Sequence, residues 1–179
     1  LPPKTTSFRA WATQLAELVA APAGESTPLP GSDYWLREGG GAVSTLPTDH
    51  PHVPGANTVG STHEVARTLD VETTTALLQE VPRAYATEIN DVLLAGLALT
   101  LQAWTGRDDV LIDLEAHGRE DLLADVDTAQ TVGWFTAQFP ISLRVSPHDS
   151  PGDVIKSVKE QLRAVPHRGA GFGVLRYLS

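Results

Sequence analysis

A mixed α/β fold is what this sequence predicts, and three patterns predict it. Apolar residues recur at three-to-four spacing in several stretches, the mark of helices that bury one face. Elsewhere they alternate, as in Phe139, Ile141, Leu143 and Val145, or run together, as in Val110-Leu111-Ile112-Asp113-Leu114. Helical and strand patterns are interleaved along the chain, so neither type forms a block of its own.

The first helix is signalled by Phe8, Trp11, Leu15, Leu18 and Val19, with Thr6 or Ser7 as N-cap, and ends near Pro22. Residues 21–31 are rich in Pro, Gly and Ser and read as a linker, and residues 32–36 start a short helix. From 38 to 62 periodicity gives way to Gly, Pro and Thr, which reads as a long loop. Residues 63–69 alternate well enough for a strand. Asp70 then caps a helix carrying Leu77, Leu78 and Val81, which Pro82 ends.

A longer helix is predicted from 88 to 104, with Ile89, Leu93, Leu97, Leu101 and Trp104 as its core face and Gly106 just past its end. Asn90 and Asp91 fall in its first turn, where capping and the helix dipole favour them on structural grounds alone. After the strand at 110–114 comes a polar loop over 116–131. A second strand follows, entered through Pro140. Ser150-Pro151-Gly152-Asp153 opens a final helix with capping-box spacing, carrying Ile155, Val158, Leu162 and Val165. No internal repeat or low-complexity tract is seen, and one domain, or a lobe of one, accounts for the whole of 1–179.

Composition bounds the function. The chain has 179 residues, 41% of them apolar and 20% charged, which is ordinary globular usage and enough for one sizeable core. Its net charge of −9 argues against nucleic acid, whose phosphates are held mainly by Lys and Arg. No apolar run approaches the roughly 20 residues needed to span a bilayer, and Leu1-Pro2-Pro3-Lys4 does not begin a signal peptide, so no membrane partner and a cytoplasmic location are expected. Zero cysteines exclude disulfides and a cysteine nucleophile, and zero methionines fit a segment of a longer chain. The six histidines show no metal-ligand spacing, so no metal is expected. There is no Gly-x-Ser-x-Gly elbow for a serine hydrolase.

The chemistry concentrates in Leu114-Glu115-Ala116-His117-Gly118-Arg119-Glu120, where a strand ends in an acid followed by a histidine, a glycine and an arginine. A carboxylate at the carboxyl edge of a sheet is placed where α/β folds put chemistry. Two further words follow: Thr131-Val132-Gly133-Trp134-Phe135-Thr136 and Gly169-Ala170-Gly171-Phe172-Gly173. The glycine word lacks the strand-to-helix turn of a nucleotide site, so Gly169, Gly171 and Gly173 are read as permitting a tight backbone path.

With Leu1-Pro2-Pro3-Lys4-Thr5-Thr6-Ser7-Phe8 and Tyr85-Ala86-Thr87-Glu88-Ile89-Asn90-Asp91, these words resemble the later signature motifs of epimerization domains of nonribosomal peptide synthetases, in the family's order and over nearly the whole chain. The resemblance implies a chloramphenicol-acetyltransferase-like (condensation/epimerization) α/β fold, of which this chain is mostly the second lobe. The family's His-His-x-x-x-Asp-Gly motif, with its catalytic histidine, is not among these residues. The expectation is therefore an interior fragment, incomplete at both ends, partnered by the missing N-terminal lobe of the same domain and inactive alone. The chain departs from the family's pattern at Ala86, Glu88, Ala116, Ala129 and Gln130.

The resemblance implies an amino-acid epimerase that interconverts L- and D-aminoacyl or peptidyl thioesters on a peptidyl carrier protein, in antibiotic biosynthesis. No cofactor is expected on this chain, because the 4'-phosphopantetheine arm belongs to the carrier. Inverting an α-carbon needs a base on one face and an acid on the other, and Glu115 is implied as one of the two. With an ordinary pKa of about 4.3, that carboxyl needs burial to act as a base near neutrality. Otherwise Glu115 pairs with Arg119 or caps a turn.

His117, two residues along an extended backbone, leaves the same face as Glu115 and is taken with Trp134, Phe135 and Thr136 as the substrate-binding set. Thr136 offers a hydroxyl to the thioester oxygen, and the aromatics wall a channel or simply fill core. Gly118, Arg119 and Gly133 belong to the structural frame with Asn90, Asp91, Gly171 and Gly173, Arg119 by a forked contact to Glu120 or another carboxylate. The alternative function is a condensation-like domain that has lost its chemistry and serves as a docking platform for a tailoring enzyme or carrier protein. The departures at Ala116, Ala129 and Gln130 favour it, and the intact Glu115, His117, Gly118 and Arg119 favour the enzyme.

Overall fold

The structure, a computed structural model, describes residues 5–20, 31–38, 45–51, 53–120 and 122–178. The motif residues at positions 1–4 and nearly all of the linker at 21–31 lie outside them. The fold separates into two compact units. One comprises Leu1–Val43, Leu111–Leu143 and Glu160–Ser179, the other Ser44–Val110 and Arg144–Lys159.

In the first unit, α1 (Phe8–Ala20) begins where the Ser7 hydroxyl accepts the Ala10 N–H at 3.1 Å, the expected N-cap. The short α2 (Ser32–Glu38) buries Trp35, whose ring meets Phe139 and Phe172 at centroid distances of 6.0 and 5.2 Å. Strands β1 (Asp109–Ala116) and β2 (Ala137–Arg144) form a two-stranded sheet among the described residues. Glu115 lies against Gln138, and Gly118 lies against Phe135, so one strand runs back as the other advances and the pair is antiparallel. Alternation then sorts the side chains: Phe139, Ile141 and Leu143 are buried, while Asp113, Glu115 and Gln138 on the other face are exposed.

Two expectations shift here. β1 runs two residues beyond Leu114, so Glu115 lies inside the strand rather than after it. Pro140 sits within β2 rather than at its entry, which an edge strand tolerates because a missing N–H costs nothing on an unpaired side.

The helix opened by Ser150 is α6 (Pro151–Arg163), and it is not the last. A 3₁₀ turn over Pro166–Gly169 leads into α7 (Ala170–Tyr177), so the glycine word read as a tight backbone path is helical, with Gly171 and Gly173 inside α7. The tight path expected of the word is found at its first glycine, Gly169, with φ +87°. A Cβ on Gly169 would lie 1.8 Å from the Phe139 ring, so the aromatic core packs directly on the start of α7.

In the second unit, residues 62–70 form neither helix nor strand, correcting the strand expected over 63–69. A strand needs a neighbour for its N–H and C=O groups, and no described residue supplies one. Asp70 caps α3 (Val71–Thr75), its Oδ1 accepting the Thr73 N–H at 2.7 Å. Pro82 does not end this helix. A π turn over Ala76–Glu80 intervenes, with the Val81 N–H reaching back to the Ala76 carbonyl, and α4 (Val81–Tyr85) continues through Pro82 to Ala86. The wider turn displaces the carbonyl that the proline ring would strike, so the helix re-forms with proline in its first turn.

The longest helix, α5 (Ile89–Thr105), ends at Gly106 as expected but buries a different stripe. Asp91, Val92, Ala95 and Ala98 are buried, whereas Leu93, Leu97 and Trp104, expected in the core, are 57%, 41% and 56% exposed. The helix is apolar on both sides, and the small residues are the ones that allow close packing.

Candidate functional site

Glu115 owes its place to the pleat. It shares the open face of the sheet with Asp113, and across the ladder the Gln138 amide donates to Glu115 Oε1 at 2.7 Å. The carboxylate is exposed, so the burial expected around it is not supplied by the described residues.

After Ala116 the chain turns, and three successive residues fix that turn. Gly118 has φ +68°, and a Cβ there would sit 1.6 Å from the Phe135 carbonyl oxygen, so only glycine fits. Arg119 does not fork to a carboxylate as expected. Its guanidinium donates to the carbonyls of Thr128 and, at 2.9 Å, Thr131, and lies 4.1 Å from the centre of the Phe135 ring. The Thr128 carbonyl also accepts the Thr131 N–H at 3.1 Å, and a planar donor that reaches both carbonyls at once ties this irregular loop to the turn. The same loop is held from the other side by the Thr6 N–H donating to the Asp127 carbonyl at 2.8 Å and by paired hydroxyls of Thr5 and Thr131 at 2.9 Å.

His117 turns back on its own segment. Its Nδ1 accepts the Arg119 N–H at 3.0 Å, and its Nε2 lies 3.3 Å from Glu120 Oε1. Glu115 and His117 thus have different partners, one across the sheet and one along the turn.

A cavity of about 700 Å³ opens on this region. Glu115, Trp134, Phe135 and Thr136 all line it, so four of the expected catalytic and substrate-binding residues are brought together. His117 does not line it, which corrects its placement with them: its imidazole is engaged by the turn instead. Trp134 is 82% exposed, whereas Phe135 is 5% exposed and packed between Phe8 and Trp11 at centroid distances of 5.2 and 4.8 Å. Phe135 is therefore both cavity wall and core. Gly133 lies against Phe8, Gly118 and Gly173 reach the cavity lining, and Arg119 and Gly171 stand outside it.

Asn90 and Asp91 belong to the other unit, at the start of α5. There Asp91 is buried and its Oδ2 accepts the Glu88 N–H at 2.8 Å, a capping role.

Three contributors escaped the sequence reading. Gln138 is visible only once strand register is known. Arg176, on α7, lines the cavity and brings a positive charge to a wall otherwise supplied with Asp113, Glu115 and Glu120. Glu120 is the third, its side chain only 10% exposed and neither oxygen hydrogen-bonded. Among the described residues no group of His, Asp and Glu could hold a metal ion, and no helix is long and apolar enough to cross a membrane.

Comparison with known proteins places this geometry. The family model described as "Condensation domain" matches residues 1–179. A linear gramicidin synthase of Brevibacillus parabrevis is 44% identical over 178 residues, which are 99% of this chain and 2% of that one, so the chain spans a small part of that relative. The crystal structure of the epimerization domain from the third module of tyrocidine synthetase B is similar with a TM-score of 0.80 at 37% identity, over 99% of this chain and 38% of that one. The X-domain from teicoplanin biosynthesis, at TM-score 0.69 and 19% identity over 98% of this chain and 39% of that one, shares the fold alone. The α/β architecture is thus the chloramphenicol-acetyltransferase-like one, and the chain belongs to the condensation-domain family of nonribosomal peptide synthetases.

Proposed function

We propose that these residues are part of an epimerization domain that interconverts L- and D-aminoacyl or peptidyl thioesters delivered by a carrier protein's 4'-phosphopantetheine arm. The observation that carries this reading is the placement of Glu115: a carboxylate on the open face of β1, oriented by the Gln138 amide at 2.7 Å and lining a cavity of about 700 Å³. Similarity to the tyrocidine synthetase epimerization domain supports it.

In the reaction the Cα–H bond breaks, the proton passes to a base, and the electron pair moves into the thioester carbonyl. A second group then delivers a proton to the opposite face. Glu115 is one of these groups. The other is the histidine of the family's double-histidine motif, carried by a part of the protein outside these residues. Gln138 holds one carboxylate oxygen and so sets the direction in which the other faces the α-carbon. Trp134 and Phe135 wall the channel, and Thr136 offers its hydroxyl to the thioester oxygen.

The test is Glu115→Gln in the whole protein, which keeps shape but removes the titratable proton. Solvent deuterium exchange at the α-carbon, started from the L- and from the D-thioester, is expected to fall about 10²-fold or more in at least one direction. Thermal stability should stay within about 0.5 kcal/mol, as for an exposed residue. Exchange at the parent rate in both directions would make Glu115 structural. That result would favour the second reading, a docking platform for a tailoring enzyme or carrier protein, to which the departures at Ala116, Ala129 and Gln130 point.

A further inference from the structure

We infer that Arg176 is a phosphate-binding residue: its guanidinium receives the phosphodiester of the carrier's arm in the cavity where Glu115 meets the thioester. This rests on the proposed reaction for what enters the cavity, and on the cavity's own charges for where the phosphate goes. Among the described residues lining it, the charged side chains are Asp113, Glu115, Glu120 and Arg176. Three carboxylates repel an anion, and Arg176 is the one cation of the lining. A phosphate drawn into this cavity has one favourable place to settle.

The guanidinium is open to a ligand. Among the described residues Arg176 makes no hydrogen bond and no ion pair, although three acids share its cavity, and its ring contact is with the neighbouring Tyr177, 5.9 Å from the ring centre. Five N–H donors in a planar fork match the oxygens of a phosphate. The helix that carries them is anchored. α7 begins where Gly169 lies on the Phe139 ring, Phe172 meets Trp35 at a centroid distance of 5.2 Å, and Val174 is buried. From Ala170, which lines the cavity, to Arg176 is about 9 Å of helix. At the anchored end, Phe139 follows Gln138, which holds Glu115. The acid and the cation are thus carried on separate elements, as the two ends of an extended arm require.

The test is made on the whole protein with two aminoacyl thioesters, one of 4'-phosphopantetheine and one of pantetheine, which differ only in the phosphate. In α-proton exchange the parent should show a KM about tenfold lower for the phosphorylated thioester. Arg176→Gln should abolish that difference by raising the KM of the phosphorylated thioester, and Arg176→Lys, which keeps the charge without the fork, should recover part of it. A parent without the preference, or an Arg176→Gln variant that keeps it, overturns the inference. So does a variant that slows both thioesters alike, because Arg176 would then act at the reacting carbon or on the fold. The epimerase reading fails separately. If the parent exchanges no α-proton from either thioester, that reading falls, and titration with free 4'-phosphopantetheine and free pantetheine, followed by NMR, decides the phosphate contact on its own. Tighter binding of the phosphorylated arm in the parent, lost in Arg176→Gln, upholds the contact, and equal or absent binding of the two overturns it.

Discussion

Two carboxylates in this molecule sit in opposite circumstances. Glu120 is nine-tenths buried and lacks a hydrogen bond, and it is held in place by residues near and far in sequence: Phe135, Thr128 and Thr131 fix the backbone that carries it. Asp153, in the first turn of α6, is fully exposed and richly partnered. Its Oδ2 accepts the Ser150 hydroxyl at 2.6 Å, and its Oδ1 accepts from Lys156 Nζ at 2.7 Å, each partner three residues away. Good local chemistry caps this helix start with hydrogen bonds from its own neighbours. The turn after Glu115 is built the other way, from distant contacts that override what its own residues would prefer.

That contrast predicts unequal sensitivity. The largest effect is expected at Gly118, where alanine must adopt φ +68° and place its Cβ 1.6 Å from a carbonyl oxygen that cannot move aside. A loss of about 4 kcal/mol, the far end of what single substitutions do, should appear in denaturant unfolding. Gly106 is the control. It has φ +70° and nothing within 4 Å of a built Cβ, so Gly106→Ala should lose only about 1–2 kcal/mol, the cost of the backbone alone. Equal losses at the two sites would mean that tertiary contact adds nothing to the turn.

Next in size is Arg119→Lys. Lysine keeps the charge but not the planar fork that reaches two carbonyls while stacking on Phe135, so a loss of about 2 kcal/mol is expected, with the 128–131 loop exchanging its amides faster. Unchanged stability and exchange would reduce Arg119 to a surface charge.

The same contrast explains what could be read in the sequence. Helix starts at Ser7, Asp70 and Ser150 were legible because a cap is a local arrangement of one side chain and an N–H three residues on. The alternation of β2 and the family words were legible as well, and they led to Glu115, Trp134, Phe135 and Thr136, all of which line one cavity. The buried side of α5 was not legible. Its sequence is apolar all round, and the stripe that packs, Val92, Ala95 and Ala98, carries less hydrophobic weight than Leu93, Leu97 and Trp104 opposite. The continuation through Pro82 was hidden because a π turn has no composition of its own. The helix over the glycine word was hidden because its constraint is a neighbour, the Phe139 ring against Gly169. Glu120 likewise reads as one more charge until tertiary structure buries it.

The start of α6 should respond weakly and locally. Ser150→Ala removes the hydroxyl that accepts the Asp153 N–H at 3.3 Å, and about 1 kcal/mol is expected, the usual worth of an N-cap.

Asp153→Asn should do less, and its effect should depend on pH. The hydrogen bond from Lys156, then that from Ser150, holds the Asp153 carboxyl below its ordinary 3.8. The same Asp153 contact holds Lys156 above its ordinary 10.5. For a carboxyl depressed by folding, the stabilisation is present above the unfolded value and is lost as pH falls through the lower folded one. For an amine raised by folding, it is complete below the unfolded value and is lost as pH rises through the higher folded one. The pair therefore contributes across the window between those ordinary values. Both groups are fully exposed, so the contribution is small and salt-screened. In melting curves of parent and Asp153→Asn taken across pH, the gap in Tm should be steady near neutrality, shrink with added salt, and close as the solution is acidified through the carboxylate range. A gap that persists unchanged in acid would mean that the side chain acts there by shape and hydrogen bonding alone, and that the helix start is not held by charge.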